Sequence, residues 1–474
     1  MKQSLLYAGA ALLVAAASAG AQGVDRTKQP PAGPAPTVHL PSMQRRTLSN
    51  GIPVVLFENH ELPIVSVQAV VDVDGLLDPP GEEGLVAVLQ QMLPEGTTTR
   101  TADQLAGAFS DLGSVVRPTG FTTLTSKVDS SLMLMGDMLM HPSFPEASLQ
   151  RIRANQIAAL RRSAEQPAYI AQRVFANAVY GTGHPFERVR TEASLNAITR
   201  QSLVAFHDAF YRPQNVQIVM AGDIKADAAV AKLEKVFGQW ASGGKRAVHD
   251  VPPVKPAAPT TVYLYDRPGS PQSVLFAGEM GPPRDTPDYY ALEVMNADIG
   301  GMFNSRLNLD LREKHAYTYG ANSGFEFRPP PMPSTFIASS AVTTAKTDSA
   351  VMDMVQDIEG LRGAQPITPD ELTLARDNLT ESLPLRFEGI SSQTAAVAGL
   401  LRDHLPLDYW DRYSSNVDRV NAADVTAVAN KYIDPSHLAI VVGGDRKQVE
   451  DKLRAANVAP VVVVDMQAKP VPAP

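Results

Sequence analysis

The chain has 474 residues, 44% of them hydrophobic, with 42 Lys and Arg against 50 Asp and Glu and a formal net charge of −8. That length holds more than one core, and two domains are expected. No basic block accompanies the acidic balance, which argues against nucleic acid as a partner. The absence of cysteine excludes disulfides, thiolate metal sites and lipid attachment at a thiol.

In chain order, Lys2, the apolar run Leu5 to Ala17 and the small residues Ala19-Gly20-Ala21 read as a cleavable export signal over residues 1–21. This predicts a periplasmic or secreted protein. No later run reaches the roughly 18 apolar residues of a membrane span, so no span is expected after cleavage. Gly23 to Pro41 is Pro-rich and expected to be extended. An N-terminal domain is placed at 42–240, a linker at 241–260 and a C-terminal domain at 261–466. The linker, Ala241 to Thr260, is rich in Gly, Pro and Ala and has no periodic apolar pattern.

The two domains read as copies of one unit. Thr199 to Asp223 (TRQSLVAFHDAFYRPQNVQIVMAGD) aligns with Val420 to Asp445 (VNAADVTAVANKYIDPSHLAIVVGGD), each a short helix, a Tyr, a Pro-containing turn, a buried strand and a Gly-Asp turn. The strand-like pairs from Val54 and Val262 echo each other in the same way. Helical periodicity marks Glu146 to Arg162 and Asp370 to Leu383, and the Met-rich run Met133 to Met140 is expected in a core. The fold class is α+β: two duplicated domains, each a mostly antiparallel sheet covered by helices.

An ordered series of short motifs spans nearly the whole mature chain. Leu48-Ser49-Asn50-Gly51 and Asp78-Pro79-Pro80-Gly81 come first, then Gly84-Leu85, Pro94-Glu95-Gly96-Thr97, His141-Pro142-Ser143-Phe144-Pro145 and His184-Pro185-Phe186. In the second half Gly300-Gly301 leads through Ser305-Arg306-Leu307 to Leu311-Arg312-Glu313-Lys314. The series resembles the pitrilysin/insulinase family of zinc peptidases. Members of that family carry a helix of the form G-L-A-H-L-L-E-H-M, whose two imidazoles grip zinc while the Glu takes a proton from the metal-bound water. Here the helix reads Gly84-Leu85-Val86-Ala87-Val88-Leu89-Gln90-Gln91-Met92.

The resemblance therefore implies a zinc-motif-less subunit. Ala87 has no lone pair, Gln90 is no base and Gln91 is a poor ligand. The family's third ligand, a Glu, falls on Gln156. No two of the nine histidines stand three or four residues apart, so no cofactor is expected on this chain, and zinc is expected in a partner. The family's Arg and, seven residues later, Tyr align with Arg312 and Tyr319, which the resemblance makes catalytic in trans. Gly300 and Gly301 are weaker candidates for contacting substrate, and Tyr317 a weaker neighbour of Tyr319. Lone histidines such as His184 and His315 read as structural or surface residues. The expected function is that of the non-zinc subunit of a heteromeric periplasmic metallopeptidase, inactive alone. Its partner is a homologous subunit with an intact His-x-x-Glu-His and its substrate a peptide. The alternative is a peptide-binding or scaffold pseudopeptidase with no catalytic contribution.

Overall fold

A computed structural model describes residues 41–471; the expected export signal lies outside the described residues. Six strands form a first sheet: β1 (Met43–Thr47), β2 (Pro53–Glu58), β3 (Ile64–Val71), β4 (Val115–Arg117), β5 (Gly120–Leu124) and β6 (Val216–Gly222), in the order β1-β2-β6-β3-β5-β4. A second sheet contains β7 (Thr261–Asp266), β8 (Gln272–Gly281), β9 (Thr318–Glu326), β10 (Ser334–Thr343), β11 (Ala439–Gly444) and β12 (Val461–Val464), in the order β12-β7-β11-β8-β10-β9. Most pairings are antiparallel. The parallel ones are β2 with β6, β11 with β7, and β12 with β7.

The central strands are apolar at most positions because both faces of each sheet are buried. Along β2 and β6, Val54, Leu56, Ile218 and Met220 enter the main core of the first half, while Val55, Phe57, Val219 and Ala221 point the other way, as the two-residue period of a strand requires. That opposite face is covered by Ile390, Val397, Ala398 and Leu401 from a helix of the second half, Ile390–Arg402. The second sheet repeats the arrangement in reverse. Val262, Leu264, Ile440 and Val442 face its main core, and Ala439, Val441 and Tyr265 meet Ile170, Ala171, Val174 and Phe175 from a first-half helix, Pro167–Tyr180. The Tyr265 hydroxyl donates to the Pro167 carbonyl at 2.7 Å. Each half thus covers the second face of the other half's sheet.

The duplicated segments share local devices. Thr199 caps the helix Arg200–Phe210 and Asn421 caps Ala422–Tyr432, each side chain accepting from the backbone N–H three residues on. The Gly-Asp turns close because a Cβ at Gly222 would stand 2.1 Å from the Ile64 carbonyl oxygen, and one at Gly444 would stand 2.3 Å from Ser273 Oγ. The Met-rich run is a helix, Val128–Met140. Its period buries Met135 and Met138 and turns Met133 to solvent.

Residues 241–260 have no helix or strand. Asn215 holds this segment by donating to the Lys245 carbonyl and accepting from Ala247 N–H, and His249 Nε2 lies 3.1 Å from Asp72. Among the described residues no helix is long and apolar enough to cross a membrane.

Candidate functional site

The helix Leu85–Met92 packs Leu85, Val86, Val88, Leu89 and Met92 into the first core. At helical spacing this leaves Ala87, Gln90 and Gln91 on its other side. Ala87 and Gln90 line a cavity of about 550 Å³, while Gln91 is exposed and its amide donates to the Ala87 carbonyl at 3.3 Å. Gln156 projects from Glu146–Ala164, which packs against that helix, and its Oε1 accepts from Arg190 Nη1 at 3.0 Å. A methyl group, three neutral amides and a guanidinium do not make a zinc site, because the ion needs anionic or imidazole donors and is repelled by a fixed cation.

The same cavity takes its other walls from both halves. Val73, Leu76, Val86 and Phe186 are joined by Arg328 and Met332 of the second half. Arg328 lies over the Phe186 ring at 4.4 Å, donates to the Pro333 carbonyl and the Tyr180 hydroxyl, and pairs with Glu326. His184 is buried, stacked on Tyr180, with Nε2 3.1 Å from the Pro252 carbonyl, so it pins the 241–260 segment.

Arg312 and Tyr319 do not line this cavity. Arg312 stands on a π-helical turn, Leu309–Lys314, and Gly300 and Gly301 close another, Ala297–Gly301. Such turns widen the helix and recur at functional sites. The Arg312 guanidinium lies 4.6 Å from the Phe303 ring centroid and 3.3 Å from Glu313. Tyr319, in the edge strand β9, is 92% exposed, and Phe303 is 68% exposed. No hydrogen bond joins Arg312 to Tyr319 among the described residues. Tyr317 precedes the strand, stacks on His315 at 4.9 Å and packs against the second core, so it does not share the setting of Tyr319. Gly300 is buried because β9 crosses it closely: a Cβ there would stand 2.4 Å from Ser323 N. Gly301 is exposed.

One cluster has no counterpart in the sequence reading. Asp310, His315 and Asp353 bring one ligand atom each within 4.8 Å of one another. A cation is already built in, since Lys314 Nζ lies 2.7 Å from Asp310. Nearby Asp357 is pushed up to about 7, first by burial and then by the charge of Asp310. The pair Asp310 and His315 stands five residues apart, outside the spacing by which a helical ligand pair is recognised, and Asp353 comes from a later helix, Thr347–Gly360.

Residues 197–379 match the family described as "Peptidase M16 inactive domain". An uncharacterised zinc protease of Bacillus subtilis is 25% identical over 397 residues, covering 80% of this chain and 94% of that protein. The chain is thus similar to M16 peptidases over most of its length. A probable mitochondrial-processing peptidase subunit beta of Arabidopsis thaliana is 24% identical over 437 residues, covering 87% of this chain and 80% of that protein. The crystal structure of a peptidase M16 inactive domain from Pseudomonas fluorescens superposes with a TM-score of 0.75 at 24% identity, over 85% of this chain and 98% of that one. The α+β architecture of two helix-covered sheets is therefore the M16 fold, here with the inactive type of domain.

Proposed function

We propose that this M16-like chain is the non-zinc subunit of a two-chain peptidase exported to the periplasm, presenting Arg312 and Tyr319 to the zinc site of a homologous partner. The observation that carries the reading is a separation. Arg312 and Tyr319 stand apart from the cavity under their own chain's altered metal helix, and the Tyr319 side chain is almost wholly in solvent. An aromatic side chain left that exposed on an edge strand is available to a second protein.

Once a partner excludes water, the guanidinium and the phenol can donate to the oxygen of a peptide carbonyl as negative charge develops on it. The metal belongs to the partner, and this chain's share is two donors. Replacing Arg312 by Ala or Tyr319 by Phe in the assembled pair lowers turnover by about a hundredfold while the pair still forms, as checked by size-exclusion chromatography. Full turnover with both replaced contradicts the reading. The scaffold alternative is favoured by the cavity itself, whose guanidinium-bearing wall suits binding without hydrolysis, and full turnover in that experiment selects it.

A further inference from the structure

The altered metal helix begins at Gly84, whose φ of +105° few other residues adopt. The Asp78 carboxylate caps it, accepting from Gly84 N–H at 2.6 Å and Val86 N–H at 2.8 Å. Across Gly84 lies the aliphatic stem of Arg190: a Cβ at position 84 would stand 2.7 Å from its Cδ and 3.1 Å from its Cγ. Glycine thus leaves the space in which Arg190 rests, and Gln156 anchors its far end at 3.0 Å. The guanidinium is consequently held between the two helices whose equivalents supply all three metal ligands in zinc-bearing relatives. A tethered cation occupies the region, and the carboxylate and imidazoles are gone.

Counting charges along the cavity wall suggests balance, because Asp74, Asp78 and Glu83 face Arg188, Arg190 and Arg328. Their partners differ. Asp78 serves the helix start, Asp74 accepts from Leu76 N–H and faces His249 at 3.4 Å, and Glu83 accepts from Gly81 N–H. Arg328 is engaged with Glu326, Pro333 and Tyr180. Among the described residues Arg188 and Arg190 have no carboxylate partner, and Arg190 is bound only to a neutral amide. Asp78 and Glu83 are held by backbone donors at the helix start and its preceding turn, which leaves Arg188 and Arg190 as the guanidiniums open to an anionic ligand.

We infer that this cavity binds the free carboxyl terminus of a peptide, with the carboxylate on Arg190, Arg188 beside it, and an apolar last side chain against Val86, Phe186 and Met332. A guanidinium fork matches a carboxylate with two parallel hydrogen bonds. The volume of about 550 Å³ falls within the roughly 300–1,000 Å³ of sites that enclose small ligands. The inference rests on the preceding reading only in taking peptide as the ligand class. It needs neither a partner nor Arg312 and Tyr319, so the two stand or fall separately.

The test uses the purified mature chain alone and fluorescence anisotropy of a fluorescein-labelled peptide ending in leucine. Its free-acid form is compared with the C-terminal amide and with an amide carrying an internal aspartate. The free acid binds, both amides bind about tenfold or more weaker, as loss of a charge-assisted contact requires, and Arg190→Gln weakens the free acid by a similar factor. Arg190→Lys recovers part of that loss, whereas Arg312→Ala and Tyr319→Phe leave binding unchanged. Gly84→Ala, which crowds the Arg190 stem, weakens binding while Arg190 itself is retained. Equal affinity for acid and amide overturns the inference, as do tight binding of the aspartate-bearing amide, an unaffected Arg190→Gln variant, or a free acid that does not bind at all.

Discussion

The two halves share the order of five strands, β2-β6-β3-β5-β4 in the first and β7-β11-β8-β10-β9 in the second, and diverge in length at the β4 and β9 edge. In the first half that edge is a short hairpin, β4 of three residues and β5 of five; in the second it is β9 of nine and β10 of ten. The outermost strand on the far side differs as well. β1 runs antiparallel to β2, whereas β12 runs parallel to β7. The first half thus has the shorter edge, and the second has a long one that displays Tyr319. The duplicated core tolerates this divergence because its hydrophobic layers lie on the inner strands.

The largest effect expected from this comparison is all-or-none. Restoring the family's residues in the first half, with Ala87→His, Gln90→Glu, Gln91→His and Gln156→Glu together, gives no stoichiometric zinc in metal analysis while Arg190 remains, because the guanidinium sits beside the rebuilt ligands. Adding Arg190→Ala allows zinc to bind. Zinc uptake with Arg190 in place breaks the account of that residue.

Next comes the mutual covering of the sheets. Phe175, 2% exposed and edge-on to Phe276 at 6.5 Å, belongs by sequence to the first half and by packing to the second. Phe175→Ala should lower stability by about 3–5 kcal/mol. Because the covering is reciprocal, denaturant titration is expected to show one transition for both halves. Two separated transitions would show that the halves are energetically independent.

A buried carboxyl in the second half makes stability depend on pH. Glu279 in β8 is buried and pushed up to about 8 by loss of solvent, with Asp434 N–H its hydrogen-bond donor. Between about 4.5, its ordinary value, and about 8 the unfolded chain has released this proton and the folded chain retains it. The folded state therefore binds more protons, and its stability falls as pH rises through that window, by up to about 1.4 kcal/mol per pH unit. Glu279→Gln keeps the acceptor and removes this contribution. Urea denaturation across the window checks it, and an unchanged slope in the variant contradicts the assignment.

A smaller effect separates geometry from substrate contact at the first π-helical turn. Gly300→Ala forces a Cβ onto Ser323 N and is expected to lower stability by about 1–3 kcal/mol, visible in thermal melts of the chain alone. An unchanged melt with reduced activity of the assembled pair would instead make Gly300 a substrate-contacting residue.

Much of this was legible in the sequence because strands buried on both faces and helices with caps leave strong patterns. The echo of Thr199 to Asp223 in Val420 to Asp445 predicted a repeated helix and strand, and the structure has both. The altered helix was legible because chemistry at Ala87, Gln90 and Gln91 depends on residue type alone. The crossed covering by Pro167–Tyr180 and Ile390–Arg402 was not, since an apolar stripe states that a helix is buried and not which sheet buries it. Arg190 was equally silent: its position depends on Gly84 and Gln156, distant in sequence, and an exposed arginine carries no periodic signal. The Asp310, His315 and Asp353 cluster escaped because Asp310 and His315 stand five residues apart and Asp353 comes from a later helix.

The claim on which the rest depends is that this polypeptide holds no catalytic metal of its own, and metal analysis coupled to peptide hydrolysis by the purified lone chain tests it most directly. Zinc well below one ion per chain and no hydrolysis, even after zinc is supplied, is the predicted result. One tightly held ion per chain with chelator-sensitive cleavage of peptides would contradict it.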